Sequence, residues 1–337
     1  MKHMRISRWR WRGRSSAAQA LAGLVVLSAC SGAAGTAEAR HPSPPDHASL
    51  VAGARAFLYA LPAGGGTPRL LLGRNTGAWL RNVSGPAWSP DGRWIAFAGG
   101  CLSCRAKLYV VSADGQRLRE IPTGPGAVSS PSWSPNGHDI AFAREQSEDQ
   151  QIYSVNLRSG RVRLVHGEPE GLDNTDLTPS WSPDGRNIAF AREIHHERQN
   201  LWVAPAAEGT VRPLTRATQF GQYYPRWSPD GREIVFMQTV PPNITWDLHI
   251  LRVRPGAVTD LTRDPHNEFD PAWSPAGKMI VFASDATSHA GFRSLYVIAA
   301  DGSGLRRLTS GAADDSMPSW SPDGRTIVFV RRPIARA

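Results

Sequence analysis

Short apolar runs rich in β-branched and aromatic side chains recur along the chain at nearly even intervals, among them Ile95-Ala96-Phe97, Ile188-Ala189-Phe190 and Met279-Ile280-Val281-Phe282-Ala283. Runs this short, bounded by Gly, Pro, Asp and Ser, predict buried strands rather than helices. The clearest unit lies between Asp270 and Thr309. Asp270 to Ser274 reads as a first strand, Pro275-Ala276-Gly277 as a turn and Met279 to Ala283 as a second strand. After a variable loop, Leu295 to Ile298 reads as a third strand, Asp301-Gly302 as a turn and Leu305 to Thr309 as a fourth. The unit is a four-stranded antiparallel meander.

The punctuation of this unit is a repeated motif. Trp88-Ser89-Pro90-Asp91-Gly92 returns, with variations, at Trp133, Trp181, Trp227, Trp273 and Trp320, at intervals of 45, 48, 46, 46 and 47 residues. A period of this size means one supersecondary unit copied along the chain. Proline supplies the φ near −65° that the turn requires, and glycine the positive φ that closes it. All six copies keep the glycine, whereas Asn136 and Ala276 replace the aspartate in two. That variation argues for a turn-building role, not catalysis or metal binding, for Asp91, Asp184, Asp230 and Asp323. The six motif tryptophans are expected to pack between neighbouring sheets.

Counting strands sharpens the architecture. Only two strands follow Trp320, while Ala56 to Leu61 resembles a third strand and Pro68 to Leu72 a fourth, with Gly64-Gly65-Gly66 as the turn between them. The two ends of the chain therefore complete one sheet. The expected fold is all-β, a six-bladed β-propeller of four-stranded antiparallel blades, closed by pairing N-terminal and C-terminal strands in one blade so that no sheet edge is left between first and last.

Charge changes this picture little. The formal net charge of +9 is concentrated in Lys2, Arg5, Arg8, Arg10, Arg12 and Arg14, and without them 32 basic residues face 29 acidic ones. So balanced a body makes no electrostatic case for nucleic acid. The basic start is followed by an apolar stretch from Ala17 to Ala29 that is short for a membrane span. It ends in Leu27-Ser28-Ala29-Cys30, which resembles the lipobox of bacterial lipoproteins. The chain is thus expected to comprise a signal peptide (1–29), a lipid-anchored tether beginning at Cys30 (30–53) and the propeller (54–337), exported and facing the periplasm or exterior. Cys101 and Cys104 remain. In an oxidising compartment neighbouring cysteines are expected to form a local disulfide.

Six copies of Trp-Ser-Pro-x-Gly at this period resemble the TolB-type β-propeller repeat over about residues 54 to 331. The resemblance implies the fold and a role in binding partner proteins of the cell envelope. The α/β domain that precedes the propeller in that family is not expected here, because Ser31 to Ser49 leaves no room for it. Similar propellers accompany the hydrolase domain of prolyl-oligopeptidase-type enzymes, but no Gly-x-Ser-x-Gly elbow occurs. Related repeats also form oligogalacturonate lyases, which hold a metal with several histidines. Here His195-His196, His249, His266 and His289 fall on different blades and read as surface residues.

In such a ring, the loops entering each innermost strand and those joining strands two and three surround the channel mouth. The entering loops carry Asp173, Asp176, Glu268, Asp270, Asp314 and Asp315, and the same face is expected to carry Arg144, Arg192 and Pro241-Pro242-Asn243. These acids suit a cation, a basic peptide or a sugar. A solvated rim whose acids pair with the arginines accounts for them equally well. The expectation is a monomeric, lipid-anchored scaffold binding an envelope protein or peptide at this face, without chemistry, cofactor, metal or nucleic acid. The alternatives are a carbohydrate-active or hydrolytic enzyme with its site in the channel mouth, and a structural or sensor module.

Overall fold

The computed structural model describes residues 55–72, 80, 82–101, 104–146, 149–166, 174–194, 198–216, 220–241, 245–287, 291–310 and 313–333. Among these residues there is no helix, and none therefore long and apolar enough to cross a membrane. The strands form six four-stranded antiparallel sheets. Five are consecutive meanders whose first strands are Asn82–Trp88, Val128–Trp133, Asn174–Trp181, Gln222–Trp227 and Glu268–Trp273, blades 1 to 5. Blade 6 joins the two ends of the chain, as the strand count predicts. Ala313–Trp320 and Thr326–Pro333 come from the C-terminal side, and Phe57–Pro62 and Arg69–Leu70 from the N-terminal side. Phe57 to Pro62 pairs along its whole length with Arg331 to Thr326.

The second strand of every blade is the buried spine, since both of its faces meet neighbouring sheets. Phe97, Phe142, Phe190, Phe236, Phe282 and Phe329, one per blade, are at most 2% exposed. Each stabilises the fold by roughly 1.5–3 kcal/mol through burial. Across the ladder each phenylalanine faces a ring on the third strand: Tyr109, Tyr153, Trp202, His249, Tyr296 and Tyr59 respectively. Blade 4 alone places an imidazole there.

The motif turns are built as their chemistry predicts. Gly92 donates its N–H to Ser89 O and adopts φ 69°. Asp91 Oδ1 accepts from Ser89 Oγ–H (2.6 Å) and from the Arg93 N–H (3.0 Å), while Ser89 Oγ accepts from the Trp94 N–H. Asn136 makes the same two bonds through Oδ1, so an amide replaces the carboxylate without loss. Ala276 makes neither, and Ser274 Oγ keeps only the bond from the Met279 N–H.

Each inner strand also carries a one-residue bulge. Three residues before every motif tryptophan stands a residue in the left-handed region, followed in all six cases by proline: Gly85-Pro86, Ser130-Pro131, Thr178-Pro179, Tyr224-Pro225, Asp270-Pro271 and Met317-Pro318. Five of these residues are not glycine, with φ between 50° and 54°, a conformation costing roughly 1–2 kcal/mol each. The ladder register shifts by one at each, as between Leu177 and Ser180. Proline fits because a bulged residue has no ladder partner to serve.

Candidate functional site

The six bulges surround a central cavity of about 1130 Å³. Its wall combines Trp88, Trp133, Trp227, Trp273 and Trp320 with Tyr224, Met317, Asp270, Glu193, Arg226 and Arg332. The motif tryptophans do pack on the core as expected, but five also reach the cavity. Two tie neighbouring blades together, Trp133 Nε1–H donating to Ala87 O and Trp273 Nε1–H to Arg226 O, each at 3.1 Å. The bulge residues are themselves linked around the ring. Asp270 Oδ2 accepts the Met317 N–H (3.1 Å), and Met317 Sδ accepts the Gly85 N–H (3.0 Å).

Five of the acids expected on the entering loops, Asp176, Glu268, Asp270, Asp314 and Asp315, stand instead inside the first strands of their blades and are buried. Asp176 is 1% exposed and forms a two-pronged pair with Arg192, at 2.7 and 3.0 Å, with His166 Nε2 3.0 Å away. The acid–arginine pairing anticipated for this face is what these two residues do. Glu268 (1% exposed) accepts from Thr262 Oγ1–H at 3.0 Å, and that Thr262 oxygen accepts the Leu248 N–H. The same bridge recurs where Thr215 Oγ1 accepts the Leu201 N–H and bonds Gln222 Oε1. It recurs again where Thr309 Oγ1 accepts the Leu295 N–H and hydrogen-bonds Asp315.

A threonine after the fourth strand thus ties the third strand of one blade to the inner strand of the next. Glu268 and Asp315, candidates for partner binding from the sequence, are buried and serve that joint. Asp315 also grips Arg331, at 2.6 and 2.7 Å. Asp314 binds buried Arg293 at 2.9 and 2.7 Å and lies 3.5 Å from Arg332. Burial pushes the Asp314 carboxyl up, but the Arg293 hydrogen bonds and charge outweigh it and hold the pKa below the usual range. Arg144 donates to Thr123 O and stacks 3.5 Å over the Tyr153 ring. Of the proposed acids, Asp270 alone lines the cavity among the described residues. Asp173, Cys30, His195, His196, His289, Pro242 and Asn243 lie outside the described residues. Cys101 and Cys104 are joined by a disulfide.

Apart from Asp270, the bulge residues were missed by sequence reasoning. The signal was available as a proline two positions before every motif tryptophan. A second omission is a cleft of about 510 Å³ on blade 4, lined by Asp247, His249, Asp260, Arg263 and Asp264. His249, read as a surface histidine, is 3% exposed. Among the described residues no group of three or more His, Cys, Asp or Glu side chains is placed to hold a metal ion.

A model of the TolB beta propeller domain matches residues 74–218 and 170–333. The chain belongs to that family. A putative TolB from Agrobacterium tumefaciens is similar at TM-score 0.67 and 22% identity, over 83% of this chain and 99% of that one. TolB from Acinetobacter baumannii is similar at TM-score 0.63 and 21% identity, over 80% of this chain and 66% of that one. An oligogalacturonate lyase in complex with manganese is similar at TM-score 0.55 and 12% identity, over 85% of this chain and 99% of that one. At these identities the likenesses are of fold. No curated protein matches the chain. Membership of the TolB propeller family supports a protein-binding propeller scaffold.

Proposed function

We propose that this protein is an extracytoplasmic propeller, lipid-anchored through Cys30, that binds an envelope protein or a peptide segment of one in the central cavity. The observation that carries the reading is the ring of bulge residues. The scaffold repeats the left-handed residue and its proline six times, yet the side chain differs in every blade: Gly85, Ser130, Thr178, Tyr224, Asp270 and Met317. Strained backbone held constant while side chains vary is what a recognition surface on a rigid frame requires. Partly exposed aromatic rings beside both signs of charge suit a peptide carrying apolar and polar groups. Membership of the TolB propeller family supports a protein partner and an envelope location, and Leu27-Ser28-Ala29-Cys30 supports the anchor.

The test is co-purification from native membranes with the unaltered chain and with Tyr224→Ala plus Asp270→Ala. Recovery of a partner with the first and its loss with the second is expected. Equal recovery by both would exclude the cavity as the binding surface. Fractionation of a Cys30→Ser form tests the anchor separately, since continued partitioning with membranes would place it elsewhere.

A further inference from the structure

The blade 4 cleft holds groups that the ring architecture does not use. Asp247 stands on the third strand, where the matching positions of the other blades are Lys107, Gln151, Asn200, Ser294 and Phe57. In blade 3 the matching Asn200 donates to Thr215 O at 3.1 Å, a bond an ionised aspartate cannot make. Asp247 is 3% exposed, lines the cleft, and its Oδ1 has no hydrogen-bond partner among the described residues. Two residues on, His249 replaces the aromatic ring of the other blades. Its Nδ1 lies 2.9 Å from Asp260 Oδ1, and its Nε2 has no hydrogen-bond partner among the described residues.

Three carboxylates, Asp247, Asp260 and Asp264, face the cleft with one guanidinium, Arg263, which is already paired with Asp260. The Asp264 carboxylate accepts the His266 N–H at 2.9 Å. Burial lowers the His249 pKa against the pull of Asp260, so the imidazole adds no charge near neutrality. Burial, with Asp264 beside it, pushes Glu268 up to about 9, and it hydrogen-bonds Asp247 from behind as a neutral acid. The cleft therefore keeps an excess of negative charge. Val240, Pro241 and Pro265 add apolar surface to its lining, beside Gln238, Thr239 and Thr245.

We infer that this cleft binds a single organic cation, an ammonium or guanidinium group on an aliphatic stem, with the charge at Asp247 and the stem against Val240, Pro241 and Pro265. A buried carboxylate oxygen without a donor is costly, and a bound cation supplies both the missing hydrogen bond and the missing charge. An aliphatic stem matches the proline and valine surface. The inference does not depend on what the central cavity binds.

The test is calorimetric titration of the full chain with Nα-acetyl-lysine methylamide, n-butylammonium and the neutral Nα-acetyl-norleucine methylamide. Both cations are expected to bind and the neutral isostere to bind at least tenfold more weakly. Asp247→Asn and, at the more accessible edge, Asp264→Asn are each expected to weaken the cations severalfold or more while melting cooperatively. Affinity should also fall as pH drops through about 6, where burial has placed the Asp247 pKa. Tighter binding of the blocked lysine than of n-butylammonium assigns the site to a partner's basic side chain, and equal binding assigns it to free amines. Equal binding of the norleucine compound, or cation affinity unchanged in both variants, overturns the inference. Tyr224→Ala in the central cavity is expected to leave amine binding as it was, which keeps the two readings separable.

Discussion

Gly92 in the first motif turn packs against Pro322 in the last, so closely that a Cβ on Gly92 would stand 3.3 Å from Pro322 Cγ. The relation repeats around the ring, Gly137 on Pro90, Gly185 on Pro135, Gly231 on Pro183, Gly277 on Pro229 and Gly324 on Pro275. Gly92, Gly185, Gly231 and Gly324 are therefore fixed twice, by a left-handed backbone and by the proline of the preceding blade, which a Cβ would approach to 3.2–3.3 Å. Gly92→Ala is expected to cost on the order of 1–3 kcal/mol. A melting temperature within a degree of the parent's would refute this double constraint.

Blade 6 depends on chain ends that only meet in the folded ring. Removing Phe57 to Leu70 deletes its two outer strands and exposes the edge of Thr326–Pro333. The truncated chain is expected to lose its cooperative thermal transition or to aggregate. A single sharp transition at the parent's temperature would show that the closing blade is dispensable.

Ala276 marks a turn with its hydrogen bonds missing. In Ala276→Asp the new carboxylate has a free hydroxyl at Ser274 and the Lys278 N–H within the geometry of the other turns, so a gain of about 0.5–1.5 kcal/mol is expected. The converse change, Asp91→Ala, is expected to lose a similar amount. Chemical denaturation of both reads the pair, and a destabilised Ala276→Asp would contradict the turn account.

Glu268 carries a pH dependence. Burial raises its folded pKa to about 9 from an ordinary 4.5. The folded state thus holds a proton that the unfolded chain releases, and the associated stability is complete below about 4.5 and is lost as pH rises toward 9. Glu268→Gln cannot titrate and keeps an acceptor for Thr262, as Gln222 does for Thr215. The variant is expected to be more stable than the parent at pH 8 by on the order of 2 kcal/mol, with the advantage shrinking toward pH 4.5. A stability difference that does not change with pH would show that Glu268 is ionised in the folded protein.

The repeat, the four strands of each blade, the turn chemistry and the closing blade were legible from residue order. Each rests on local chemistry: Gly92 must take a positive φ, Pro90 must preset its own, and Ile95-Ala96-Phe97 must be buried wherever the strand goes. The terminal strands Phe57–Pro62 and Thr326–Pro333 could be matched because each repeats a pattern seen complete in other blades. The fate of Glu268 and Asp315 was not legible. Alternation along a strand tells which residues share a face, but the inserted bulge residue shifts that alternation, and only the packed neighbour decides whether a face meets water or another blade. Asp247 and His249 differ from the residues at the matching positions of the other five blades, but the cleft that they face exists only where the neighbouring loops pack around them. Local chemistry set the blades, and the packing of one blade on the next decided which polar groups became joints, which line the cavity and which are left facing a cleft.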